Sequence, residues 1–195
     1  MYYDLKQENI LHNDFMYAYS PACNTFKTFS QEKDCVVNGY DKEEDNYDYV
    51  SVVTRDTKRS GTTVRTHCSF EHYGAPLVVF SEKVERDEQG IDRYGLHFEV
   101  VAWENGVNIW HIVPQPAGSE KPIAVTKIGK AEFAIEENSN IEIKVCVGSG
   151  EAKNLKVIVN GHELNVVNED LPEEFHIGFT ACEGINRFYD FEIVE

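Results

Sequence analysis

The chain has 195 residues, 42% of them hydrophobic and 27% charged, with a formal net charge of −16. A surface that acidic repels phosphate backbones and anionic lipid, which argues against nucleic acid and membrane as partners. Five cysteines at irregular spacing, with no Cys-x-x-Cys pair, form no zinc or redox motif, so neither metal nor cofactor is expected.

The N-terminal segment MYYDLKQENILHND has no basic region and no apolar core, so it does not read as a secretory leader. No window approaches the roughly 18 apolar residues of a membrane span. A cytoplasmic chain with reduced thiols is the resulting expectation. Residues 10–15 have room for no more than a turn of helix. Beyond them, β-rich runs recur about every ten residues, the spacing of a sandwich or barrel. The first strands are expected over 15–19, 25–29, 35–38, 47–54, 62–70 and 77–83. The acidic run DKEEDNYD at 41–48 reads as a solvated loop. In 62–70, Val64, Thr66, Cys68 and Phe70 share one parity and point to a core, while Arg65, His67 and Ser69 form a polar row on the other. Asp87-x-x-Gly90-x-Asp92 lacks the ligand spacing of a calcium loop and reads as a turn.

The hairpin YGLHFEVVAWENGVNIWHIV, residues 94–113, carries the most information. Asn105-Gly106 is the strongest short-range signal for a two-residue turn with both central φ values positive. That turn would set Trp103 opposite Asn108, and Glu99 opposite Ile112. One face then holds Leu96, Phe98, Val100, Ala102, Ile109 and Val113, a core. The other holds His97, Glu99, Val101, Trp103, Asn108, Trp110 and Ile112, which sets both tryptophans beside a carboxylate, an imidazole and an amide. Aromatic rings stack on the C–H faces of a sugar, and polar groups around them fix its hydroxyls. Further strands are expected over 123–127, 141–147, 155–160, 162–167, 175–180 and 188–194, with Asn160-Gly161 turning a second hairpin. The closing FEIVE strand needs a partner, expected from the N-terminal region, to cover its edge. Arg187 is expected to pair with an acid. No linker divides the chain, so one domain spanning 1–195 is expected.

Three stretches carry a family resemblance: GAPLVVF (74–80), YGLHFEVVAWENGVNIW (94–110) and FHIGFTACEGINRFYDFEIVE (175–195), with LKVIVNGHEL before the last. Together they resemble the concanavalin A-like lectin/glucanase superfamily in its laminin-G-like branch. The resemblance covers roughly 35–195 and implies an all-β, two-sheet antiparallel jelly-roll sandwich of six or seven strands per sheet. It also implies that any ligand sits on the concave sheet or its rim loops. The departures are specific. The Glu-x-Asp-x-x-Glu strand of β-glucan hydrolases is absent, as are the Arg-x-Glu and Gln-x-His strands of alginate-lyase-like members and the His-x-Asn-x-Arg strand of galectin-like ones. Architecture transfers, and no single activity does.

The function expected from the residues is recognition of an oligosaccharide by His97, Trp103, Asn108 and Trp110. Arg65 and His67 would join them if strand 62–70 lies beside the hairpin. The alternatives are a glycoside hydrolase or polysaccharide lyase using the same cleft with Glu99 as acid/base, and a structural or interaction domain with no small ligand. Hydrolysis needs a second carboxylate roughly 5–9.5 Å away, for which Glu82 is the candidate.

Overall fold

The computed structural model describes residues 1–7, 10–41, 46–47, 49–148 and 153–195. Part of the acidic run, 42–45 and 48, lies outside them. The elements begin with β1 (Tyr2–Asp4), α1 (Ile10–Asn13), β2 (Phe15–Tyr17), β3 (Ser30–Gln31), β4 (Val36–Val37), β5 (Tyr40–Asp41) and β6 (Asn46–Tyr47). They continue with β7 (Val50–Thr54), β8 (Lys58–Arg59), β9 (Thr63–Glu71), β10 (Ala75–Ser81), β11 (Val84–Arg86), β12 (Asp92–Tyr94), β13 (His97–Trp103) and β14 (Gly106–Pro114). The last are β15 (Ile123–Glu132), β16 (Ile141–Val147), β17 (Asn154–Val159), β18 (His162–Val167), β19 (Glu174–Cys182) and β20 (Ile185–Val194).

Among the described residues these strands form two eight-stranded sheets and two small ribbons. The front sheet runs β15-β14-β13-β10-β19-β7-β2, with β8 on the start of β19. The back sheet runs β18-β17-β16-β9-β20-β4-β3, with β1 on the closing strand β20. The fold is the all-β jelly-roll sandwich of the concanavalin A-like type. Its sheets exceed six or seven strands because short edge strands from the first sixty residues extend them. Alternation places the core. Phe98, Val100, Ala102 and Ile109 of the front sheet are fully buried against Val64, Cys68, Ile143, Val145, Val157 and Phe191 of the back sheet. Phe179 is at the centre of an aromatic cluster with Phe15, Phe29, Phe188 and Phe191.

The two hairpins differ in how they turn. Asn160 and Gly161 both have positive φ (48° and 83°), and Val159 pairs with His162, as an Asn-Gly turn requires. In the other, Trp103 pairs with Gly106 and Glu99 with Trp110, so the turn is Glu104-Asn105 and the register differs from the sequence expectation. The cause is tertiary. Gly106 (φ 121°) lies so close to β15 that a Cβ would meet the Ala131 carbonyl oxygen at 2.1 Å. The Glu104 carbonyl meanwhile accepts from Ile135 N–H at 2.9 Å. The sum of paired residue numbers changes by an even amount, so both faces keep their residues; an odd change would have reversed them. Residues 25–29 form no strand. They run as a covering segment, with Tyr19 Oη donating to the Lys27 carbonyl at 2.5 Å.

Candidate functional site

The outer face of the front sheet is half dry and half open. Over β10, β19 and β7 it is sealed. Ala18, Val53, Leu77, Val79 and Tyr94 form a second buried cluster there, and β12 is fixed over it by backbone bonds between Tyr19, Asp92 and Tyr94. Tyr94 Oη bonds Ser51 Oγ, which bonds Thr180 Oγ1 at 2.5 Å, so the buried hydroxyls are satisfied. Over β13, β14 and β15 the face is open. Two cavities of about 490 and 500 Å³ lie there, and Glu99 and Trp110 line both. Trp103, Asn108, Lys127 and Glu183 line the first; Tyr49, Ile112, Ile123 and Val125 line the second.

A β-bulge decides what stands opposite Trp110. Ile109 pairs with Gly129 but Trp110 pairs with Lys127, leaving Ile128 as the extra residue. Lys127 therefore shares the outer face, and its Nζ lies 4.7 Å over the Trp110 ring. Neither Lys127 nor Tyr49 carries a sequence signal; both are brought to the site by tertiary structure.

Glu99 and His97 stand one behind the other. His97 is wholly buried and its Nδ1 lies 2.8 Å from the Gly95 carbonyl. A carbonyl can only accept, so Nδ1 carries the proton and Nε2 is a lone-pair acceptor. Nε2 has no hydrogen-bond partner and lies 3.9 Å from Glu99 Oε1. Burial pulls the His97 pKa down to about 4 and keeps the ring neutral. Burial also pushes Glu99 up to about 7, partly opposed by Tyr49 Oη donating to its Oε1 at 3.4 Å. Glu99 is thus a carboxyl that holds its proton in mildly acidic solution while its side chain, 14% exposed, faces the cleft.

A carboxyl with a raised folded-state pKa penalises the fold as pH rises. Below pH 4.5 both folded and unfolded states hold the proton; between 4.5 and 7 only the folded state does. The Glu99→Gln variant is therefore expected to gain stability on the wild type over that window, by at most about 1.4 kcal/mol per pH unit and roughly 3 kcal/mol in all. Urea unfolding at stepped pH measures the gap. A constant gap would show that Glu99 titrates in its ordinary range.

The remaining candidates lie elsewhere. Arg65 and His67 do not join the cleft, because β9 belongs to the back sheet, between β16 and β20. The chain crosses from one sheet to the other at 72–74, so β9 and β10, consecutive in sequence, lie in different sheets. Arg65 pairs with Glu192 at 2.8 Å, and His67 with Asp190 at 2.8 Å. Glu82 lies beyond the end of β10, where it lines a separate cavity with Leu96 and Asp170. Arg187 pairs with Glu71 and Glu32, and the 87–92 segment is a turn in which Asp87 accepts from Gln89 and Ile91 N–H. Among the described residues, no group of three or more His, Cys, Asp or Glu is placed to hold a metal ion, and no helix is long and apolar enough to cross a membrane.

No family model and no curated protein sequence matches the chain. Solved structures do match in fold. A carbohydrate binding module from Bacillus subtilis is 10% identical with a TM-score of 0.62, covering 94% of this chain and 98% of that one. The Bacillus licheniformis β-glucanase is 12% identical with a TM-score of 0.61, covering 100% and 97%. The β-agarase B of Zobellia galactanivorans is 8% identical with a TM-score of 0.66, covering 99% and 89%. At such identities the likeness is one of fold: the chain has the concanavalin A-like jelly roll that these proteins share.

Proposed function

We propose that the chain binds a neutral oligosaccharide along the open half of the front sheet, across β13, β14 and β15. The observation that carries this reading is the placement of both tryptophans of the chain, half-buried, in one cleft with Asn108, Lys127 and Glu99. Half-buried indoles leave a ring surface for stacking, and the amide, ammonium and carboxyl supply directional partners for hydroxyls. His97 is wholly buried beside Glu99, so it does not touch the ligand. The chain's negative charge and the presence of Glu104 and Glu183 in the same lining favour a neutral glycan over an anionic one. The fold neighbours, a carbohydrate binding module, a β-glucanase and a β-agarase among them, are consistent with this choice. Titration with β-glucan and agarose oligosaccharides, followed by tryptophan emission, tests it. A saturable change is expected, and an unchanged spectrum with every sugar would remove the reading.

One observation favours catalysis as a second reading. A carboxyl kept neutral near pH 6 in a cleft is suited to protonate a glycosidic oxygen as it leaves. Glu104 and Glu183 line the same cavity and are the candidates for the second carboxylate. Under this reading, reducing ends are released from the bound oligosaccharide, and Glu99→Gln lowers that release at least about a hundredfold. Release that survives the substitution would assign it to another residue or to none.

A further inference from the structure

At one end of the cleft the chain turns from β9 in the back sheet to β10 in the front sheet through His72 and Tyr73. Both have positive φ, 53° and 61°, and Gly74 N–H closes the turn on the Glu71 carbonyl at 3.1 Å. Two successive positive-φ positions are the place for Asn-Gly; a histidine and a tyrosine there hold their Cβ atoms against the backbone. The neighbourhood enforces the conformation. A Cβ on Gly74 would meet the Ile185 carbonyl oxygen at 2.7 Å, and one on Gly184 the carbonyls of Glu71 and His72 at 2.4 Å, so two corners pack backbone on backbone. Tyr73 N–H donates to Glu137 Oε1 at 3.2 Å. Behind them, Asn38 donates to the Gly184 carbonyl, and Asn186 to that of Glu183.

This braced corner presents a tyrosine that is 75% exposed yet lines the cavity of Trp103 and Glu183. An exposed aromatic gains little for the fold, and a strained one costs it. Strain that the surroundings over-determine is a pointer to function. We propose that Tyr73 is a stacking platform at the corner end of the cleft, extending the sugar-binding surface beyond Trp103. The proposal rests on the carbohydrate reading above. It identifies the ligand as a chain long enough to reach from the Trp110 centre to the β9–β10 corner.

The test uses the full chain with a β-glucan hexasaccharide and an agarose hexasaccharide as probes, comparing wild type, Trp110→Ala, Tyr73→Gly and Tyr73→Phe. Tyr73→Gly relieves the backbone, so its melting temperature is expected to hold or to rise by up to about 4 °C, while affinity falls about tenfold. Tyr73→Phe keeps the ring and is expected to bind as the wild type does. Wild-type affinity in Tyr73→Gly, with Trp110→Ala impaired, would overturn the platform and leave the carbohydrate reading standing. A melting temperature that drops in Tyr73→Gly would overturn the strain argument. Failure of the wild type to bind either probe would overturn the carbohydrate reading and this proposal with it.

Discussion

Trp110→Ala is expected to weaken oligosaccharide binding about thirtyfold or more, the largest loss of any single substitution in the cleft. Trp110 lines both cavities, stands opposite Glu99 across the hairpin and carries Lys127 over its ring. Truncation removes the stacking surface from the middle of the groove and frees the ammonium that was held in place. Trp103 lines the first cavity and not the second, so Trp103→Ala is expected to cost less. Calorimetric titration measures both losses, and far-ultraviolet circular dichroism checks that each variant keeps its strands. Equal affinities for Trp110→Ala and the wild type would take the indole out of the site.

Phe179→Ala is expected to lower the unfolding free energy by about 3–5 kcal/mol, a large part of what a domain of this size has to spare. Phe179 is fully buried in the front sheet, and its ring centroid lies 4.6 Å from Phe188 and 5.3 Å from Phe191, both in the back sheet. It also meets Phe15 at 6.1 Å and Phe29 at 5.3 Å. Alanine would therefore open a cavity walled by both sheets and by the N-terminal segment, where a rigid β framework collapses poorly. Urea unfolding should show a lower midpoint at an unchanged slope. A loss under about 1 kcal/mol would mean that the surrounding rings close the gap.

Much of the fold was legible because alternation is a local property. The strands at 141–147 and 162–167 coincide with the expected ranges, and the core parity of Val64, Thr66, Cys68 and Phe70 holds because each residue's face depends only on its neighbours in sequence. The turn lies at 104–105 and not at Asn105-Gly106 because its carbonyls are claimed by residues 133 and 135, a contact invisible to a dipeptide rule. The segment 25–29 reads as a strand by composition, yet Phe26 instead packs on Tyr19 and under Arg93. Of the site, the hairpin residues were legible and their neighbours were not. Which sheet receives Arg65 and His67 depends on where the chain crosses over, and Tyr73 sits in a conformation that its own side chain disfavours. Tyr49 reaches Glu99 across fifty positions of sequence.

The surplus residue at position 128 has a consequence for how the groove's margin can change. It acts as a phase shifter: residues 123–127 and 129–132 show opposite parities to the ligand side, although they belong to one strand. Pairing it with Trp110 instead would carry Ile123, Val125 and Lys127 to the inward side and bring Ala124, Thr126 and Ile128 outward in their place, while the indole-bearing hairpin stayed as it is. The make-up of that border thus turns on one residue of register, and the side chains of β13 and β14 are untouched by it.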